Sequence, residues 1–218
     1  MNHLIGAILL ASLVILLLGY FLGCLNGSVM VSHFIIKDDV RQHGSGNAGL
    51  TNFYRTYGAK YALGVILFDM GKTVIACLIG GAAFDYLAGD WRLGVLLGGL
   101  GCELGHMFPV FFGFKGGKGV LVGAGAALAT EPLVCAVLLG IFLIEVAVTR
   151  IVSLGSIIIA ALYPVGTLIN LIARGANLPT ILFSTICCVI MAAMVIWLHR
   201  SNIERLKNGT EYRFGQKK

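Results

Sequence analysis

Charge is what this sequence lacks. Only 12% of its 218 residues are Asp, Glu, Lys or Arg, against 58% hydrophobic. Soluble domains carry roughly 25% charged residues, so a water-exposed surface cannot be assembled from this composition. With a mean hydropathy of +0.91, it is the sequence of an integral membrane protein, and its length suits one domain, residues 1–218. A basic n-region is missing ahead of the first apolar run. That run also exceeds the roughly 7–15 residues of a signal-peptide core, so it is read as a permanent helix. The cysteines lack any pattern. Cys24, Cys77, Cys102, Cys135, Cys187 and Cys188 lie inside apolar runs with no CxxC, which points to buried free thiols. Nor does any repeat relate the two halves, as it would in many transporters.

What is present is a series of apolar runs near the roughly 20 residues that span a bilayer core. They cover Leu4 to about Leu25, with a continuation past Asn26-Gly27-Ser28 to Ile36, then Tyr61–Leu87, Leu93–Phe112, a short Val120–Thr130, Leu133–Thr149, Ile151–Ile172 and Leu178–Leu198. Glu131-Pro132 breaks the fourth from the fifth. The expected fold is an all-α bundle of about seven transmembrane helices; a five-span version merges the fourth and fifth or lays them re-entrant. With seven spans, one face collects Lys37, Arg41, Arg55, Lys60, Lys115, Lys118, Arg150, Arg200, Arg205, Lys207, Arg213, Lys217 and Lys218. The other has only Arg92 and Arg174. The positive-inside rule then places the N-terminus outside and the C-terminus in the cytoplasm. The same bias accounts for the net charge of +6 without any nucleic-acid partner.

Every polar, glycine-rich or basic segment of chemical interest falls on that side, where loops at one end of a bundle can converge. The loop Gly44-Ser-Gly-Asn-Ala-Gly-Leu-Thr-Asn-Phe-Tyr-Arg55 has glycines whose N–H groups can form an anion nest. Ser45, Asn47, Thr51 and Asn52 supply donors and Arg55 a planar fork suited to phosphate. On a helix beginning near Thr51, Thr51 and Arg55 share a face. No acidic residue lies between Arg41 and Asp69, which makes this a cationic cradle rather than an ordinary polar loop. A second cradle is Gly113-Phe-Lys-Gly-Gly-Lys-Gly119. It is not a Walker A loop, because Gly117-Lys118 is followed by glycine instead of Ser or Thr. Its glycines exceed what a lysine anchor at the membrane surface requires. Lys118 with Gly116, Gly117 and Gly119, just ahead of a helix N-terminus, forms a phosphate clamp, and Lys115 is a second candidate. The turn Arg150-Ile-Val-Ser153-Leu-Gly-Ser156 carries hydroxyls able to cap a helix or bond a ligand. The tail from His199 through Asn202 to Glu211 reads from composition alone as a basic amphipathic segment on anionic lipid.

Three further patterns carry less. His33-Phe-Ile-Ile-Lys-Asp38 spells the HxxxxD of acyl-CoA-dependent acyltransferases, but residues five apart on a helix point about 140° from each other. Glu103-Leu-Gly-His106 is half of a di-iron motif without its second copy, and the cysteines and histidines are too scattered for a metal set. Asp69 and Lys72, one turn apart within a span, are read as a structural pair facing the bundle.

Together, GSGNAGLTNFYR, GHMFPVFFGFKGGKGV, RIVSLGS and HRSNIERLKNGTE resemble, in order and spacing over nearly the whole chain, the bacterial acyl-phosphate:glycerol-3-phosphate acyltransferases, the PlsY family. Two departures are Leu121-Val122 after GGKGV, where the family usually has Ala-Thr, and Thr73 after Lys72, where it tends to have glycine. The resemblance implies transfer of a fatty acyl group from acyl phosphate to the 1-hydroxyl of glycerol 3-phosphate, the entry step of phospholipid synthesis. It implies a multi-pass protein of the bacterial inner membrane, a cytoplasmic active site, no cofactor or metal, and a soluble acyl-phosphate-producing enzyme as upstream partner. Ser45, Arg55 and Lys118 are expected to be catalytic, joined by resemblance by Ser153, His199 and Asn202. Asn47, Thr51, Asn52, Gly116, Gly117 and Gly119 are expected to bind substrate phosphate, and Glu211 to be structural. The hydroxyl proton goes either to His199 or to a substrate phosphate oxygen, the latter being preferred because acyl phosphate is already activated. The rival readings are a small-anion or phosphate-ester transporter and an acyl-CoA-dependent enzyme using His33 and Asp38.

Overall fold

In the computed structural model, which describes residues 2–215, all regular secondary structure among the described residues is helical. Lys217 and Lys218, counted above on the basic face, lie outside those residues. The helices are α1 (Asn2–Cys24), α2 (Gly27–Met30), α3 (Leu50–Tyr57), α4 (Ala62–Ala88), α5 (Trp91–Met107), α6 (Val120–Thr130), α7 (Pro132–Thr149), α8 (Val152–Ala173), α9 (Leu178–Leu198) and α10 (Arg200–Lys207). Packing divides the chain into two compact units, Met1–Thr130 and Glu131–Lys218.

Among the described residues, six segments are long and apolar enough to cross a membrane: Ile5–Ile36, Ala62–Ala88, Trp91–Phe112, Pro132–Thr149, Val152–Ala173 and Leu178–Leu198. The short run Val120–Thr130 forms α6, separate from α7, so the fourth and fifth apolar runs are not merged. Its 11 residues reach only about 16 Å at the α-helical rise, roughly half the hydrocarbon thickness. The first run is continuous in length but not in hydrogen bonding. α1 stops at Cys24, and Asn26 starts α2 by accepting from the Val29 N–H at 3.1 Å. A π-helical turn, Val31–Ile36, follows and ends on Lys37 in the left-handed region (φ 64°).

That break exposes backbone groups at membrane depth, where no bulk water can satisfy them. Asp69 and Lys72 of α4 close it. The Lys72 ammonium donates to the carbonyls of Gly23 (3.0 Å) and Leu25 (2.7 Å) and pairs with Asp69 at 2.8 Å. Asp69 in turn accepts from the Gly27 N–H at 2.9 Å. The pair is structural and faces the bundle, as its spacing suggested.

In the first unit α5 packs against both α1 and α4, and glycine permits both contacts. A Cβ on Gly105 would fall on the Tyr20 carbonyl and within 2.9 Å of the Cys24 nitrogen. A Cβ on Gly94 or Gly80 would fall on the other's carbonyl oxygen across the α4–α5 contact. Without a hydrophobic driving force between helices in lipid, such close backbone approach supplies the packing energy. In the second unit the buried Glu131 carboxylate, just ahead of α7, accepts from Thr167 Oγ1 (2.6 Å) and Asn170 Nδ2 (2.9 Å) of α8. Gly105→Val should lower stability by about 1–3 kcal/mol or more, the ordinary cost of overpacking. Gly64→Ala, at an exposed α4 position with no atom within 4 Å of its Cβ, should be neutral or stabilising by up to about 1 kcal/mol. Thermal unfolding of the detergent-solubilised protein distinguishes the two.

Candidate active site

The first unit brings the two glycine-rich loops together. The Ala48 N–H donates to the Gly116 carbonyl at 3.3 Å, and Asn47 Nδ2 lies 3.5 Å from the same oxygen. Arg41 adds a second tie. It forks onto Asp39 at 2.9 and 2.8 Å and donates to the Phe112 carbonyl at 2.8 Å. Beneath the first loop, Val29, Val40, Ala48, Phe53 and Val65 form a buried apolar cluster that anchors it to α2 and α4.

Asn52 organises the first loop from inside. Its Oδ1 accepts from the Ser45 N–H (2.9 Å), and its Nδ2 donates to the Val40 and His43 carbonyls (both 3.0 Å). The side chain is buried and its polar atoms are engaged within the protein. In this structure it therefore shapes the loop that displays Ser45. Gly44 is required beside it: φ is +58° and a Cβ would collide with Asn52 Oδ1. Thr51 and Arg55 lie one turn apart on α3, the spacing that gives them a shared face. Ser45 and Arg55 are exposed, and Thr51 and Asn47 half-buried.

The second loop is laid on the end of α5. Gly117 donates its N–H to the His106 carbonyl at 3.1 Å. A Cβ at Gly116 would strike that carbonyl and lie 2.7 Å from Pro109 Cδ; one at Gly117 would enter the His106 ring. Gly119 has φ +84° and leads into α6. These glycines thus have a packing reason beyond phosphate contact. Lys118 is half-buried between Gly117 and Gly119. Behind Gly119, Glu103 is fully buried with neither carboxylate oxygen hydrogen-bonded, and Oε1 is 3.0 Å from where a Gly119 Cβ would stand.

The second unit gathers its expected residues around Glu211. Ser153 Oγ (2.8 Å) and Asn202 Nδ2 (2.6 Å) donate to Oε1, and Arg205 Nε (2.6 Å) to Oε2. Burial acts to raise the Glu211 pKa, but the hydrogen bonds from Asn202, Ser153 and Arg205 outweigh it and hold the carboxyl below its ordinary value. His199 is the joint between α9 and α10, buried, with Nδ1 2.8 Å from the Val195 carbonyl. A carbonyl only accepts, so the proton sits on Nδ1 of the neutral ring and Nε2 is the basic nitrogen.

The HxxxxD pair is not assembled. His33 lies in the π-helical turn, while Asp38 sits 2.8 Å from His43 Nε2 and accepts from Tyr57 at 3.0 Å. The His43 contact, with help from the Asp39 N–H and Tyr57, lowers the Asp38 pKa. Burial, then Asp38, pushes the Tyr57 phenol up to about 12.

A family model described as glycerol-3-phosphate acyltransferase matches residues 13–209. The chain belongs to the glycerol-3-phosphate acyltransferase family. It is 39% identical to a glycerol-3-phosphate acyltransferase of Synechococcus sp. (strain CC9902) over 96% of this chain and 98% of the relative. It is 40% identical to one of Syntrophomonas wolfei subsp. wolfei over 93% and 97%. It is also similar to the crystal structure of PlsY, an integral membrane glycerol 3-phosphate acyltransferase, in its glycerol 3-phosphate form: TM-score 0.76, 34% identity, covering 94% of this chain and 96% of that one. The lysophosphatidic acid form of PlsY gives the same TM-score at 33% identity.

For this acyltransferase, the sequence reading missed the support behind the second loop. By residue pattern His106 reads only as half of an iron motif, although it stands inside the same GHMFPVFFGFKGGKGV string. For the second unit the pH dependence follows from the sign of the Glu211 shift. A lowered carboxyl pKa contributes stability above the ordinary carboxylate value of about 4.5, and that contribution is lost as pH falls through the folded value. Glu211→Gln should lower the melting temperature at pH 7 and remove part of its decline between about pH 5 and pH 3. Melting curves of both proteins across that range check it.

Proposed function

We propose that this chain transfers a fatty acyl group from acyl phosphate to the 1-hydroxyl of glycerol 3-phosphate, giving 1-acyl-glycerol 3-phosphate and inorganic phosphate. The observation that carries the reading is the junction of two cationic glycine-rich loops at Gly116, in a chain that resembles PlsY over 94% of its length. Both substrates bear phosphate and one bears an acyl chain, which suits two phosphate cradles on a membrane protein.

In this reading Arg55 and Lys118 neutralise the phosphates and Ser45, Asn47, Thr51 and the backbone N–H groups of Gly116 and Gly119 orient them, while Gly117, whose N–H is given to the His106 carbonyl, shapes the loop. Catalysis is then by proximity and fixed electrostatics. The alcohol oxygen attacks the acyl carbon, the C–O bond to phosphate breaks, and phosphate leaves with the electron pair. The alcohol proton passes to a substrate phosphate oxygen; His199 Nε2, the basic nitrogen of its ring, is the other acceptor of suitable chemistry. Asn52 acts by shaping the first loop. Ser153 and Asn202 are proposed as catalytic groups, with Glu211 holding them. We further propose one functional domain over residues 1–218, the N-terminus outside, and a site on the cytoplasmic face of a bacterial inner membrane, where a soluble enzyme supplies acyl phosphate. The support for orientation is the Lys and Arg distribution.

Purified protein given glycerol 3-phosphate should release phosphate and form lysophosphatidate with palmitoyl phosphate and not with palmitoyl-CoA. Turnover with the CoA ester alone would move the chemistry to His33 and Asp38, and turnover with neither would favour transport. Arg55→Ala and Lys118→Ala should each lose about 100-fold or more in kcat/KM, as removal of a charge-stabilising donor does. His199→Ala should keep a shallow pH–rate profile; disappearance of an inflection near the ordinary histidine value of about 6.5 would instead make His199 the base.

A further inference from the structure

The closed break after α1 and the GGKG loop meet at His106. One face of the ring is the Asp69–Lys72 pair that closes the break after α1. The other is the GGKG loop. Around Nδ1 stand Lys72 Nζ at 3.2 Å and Asn26 Nδ2 at 3.4 Å, with Asp69 Oδ1 further off at 3.6 Å. The Asn26 amide orientation is fixed independently, because its Oδ1 accepts from the Val29 N–H. The three Lys72 N–H groups go to Gly23, Leu25 and Asp69, so the donor to Nδ1 is the Asn26 amide NH2, and an ammonium 3.2 Å away disfavours a proton on that nitrogen. Nδ1 must accept, so the neutral ring carries its proton on Nε2. Nε2 is the atom against Gly117: a Cβ there would fall on it. The His106 carbonyl meanwhile accepts from the Gly117 N–H at 3.1 Å. One residue thus holds the loop through its backbone and presents an N–H to it through its ring, next to Lys118.

We propose that His106 is a positioning residue for the Gly116–Gly119 loop, with Lys72 and Asn26 fixing its tautomer so that Nε2–H faces the loop that takes the phosphate of a substrate. The inference rests on the reading of that loop as a phosphate cradle. It gives the buried Asp69–Lys72 pair a second role. The pair closes the broken span and, through His106, sets the donor pattern at the site. The bound chemistry is a phosphate monoester or an acyl phosphate, and the two are separated by measuring KM for each.

His106→Leu removes the ring N–H, and His106→Gln restores an N–H donor at about the reach of Nε2. A hydrogen bond to a charged group contributes about 1.5–3 kcal/mol, so His106→Leu should raise KM for one phosphate substrate roughly tenfold to a hundredfold, with kcat altered less. His106→Gln should recover much of that loss, which a purely structural role would not predict. Asn26→Asp keeps the oxygen that accepts from the Val29 N–H, replaces the donor to Nδ1 by an acceptor and should shift the same KM in the same direction; it replaces His106→Leu if the latter fails to accumulate. A folded His106→Leu with wild-type KM for both substrates overturns the proposal, as does His106→Gln performing no better than leucine. Should the wild type not turn over, the activity reading fails by itself. The same variants are then compared for stabilisation by glycerol 3-phosphate and by inorganic phosphate in thermal shift. Loss of stabilisation in leucine with recovery in glutamine supports the positioning role, and equal stabilisation removes it.

Discussion

The interaction on which the first unit depends is the Lys72 ammonium in the gap after α1. A helix interrupted within a membrane leaves carbonyls and N–H groups that neither lipid nor bulk water can satisfy. Here one ammonium takes the carbonyls of Gly23 and Leu25, and the carboxylate it pairs with takes the Gly27 N–H. Burying an isolated charge is costly, and burying a pair repays that cost only when hydrogen bonds complete both partners. The break supplies those bonds. The ion pair and the interrupted helix are therefore conditions for each other: neither is tolerable alone at that depth.

The same constraint reaches the phosphate-loop candidate through α5. Glycines along α5 let it lie against α1 and α4 at backbone contact, which brings His106 to the pair and delivers the α5 C-terminus to the GGKG loop. The loop's glycines answer to this closeness as much as to any ligand. Gly116 and Gly117 leave room for the His106 backbone and ring, and Gly119 supplies a left-handed turn into α6. A glycine-rich loop in sequence signals that something approaches closely; only the fold shows that part of what approaches is the protein itself.

That difference marks how much could be read from residues alone. Helix positions were legible because lipid-facing apolar runs have lengths fixed by the bilayer. Val120–Thr130 and Leu178–Leu198 are placed residue for residue, and the others within about two residues at each end, except that α5 stops at Met107, five residues before the expected Phe112. The interruption after Cys24 was not, since Leu25-Asn26 sits inside an apolar run and its cost is met by residues more than 40 positions away. In the site, the meeting of the two loops was expected from their common side, and Thr51 and Arg55 from helical spacing. The role of Asn52 as a hub was beyond a linear reading, and Glu211 was expected to be structural only through the family resemblance, without its partners. An amide or carboxylate in a polar loop looks the same whether it faces a ligand or three groups of its own chain.

Those hubs share a logic. Asn52 holds the Ser45 backbone and two carbonyls; Glu211 holds Ser153, Asn202 and Arg205. In both units one buried polar side chain fixes several groups of its own chain by short hydrogen bonds. A site on loops needs such support, because groups that act by orientation and charge lose their effect when displaced by about an ångström. For Glu211 the same bonds lower the carboxyl's pKa, so the support is strongest where the carboxylate is charged and weakens in acid. A loop site at a membrane surface has no β-sheet or rigid rim to fix it. Here the rigidity comes from one residue per loop whose polar atoms are all turned inward.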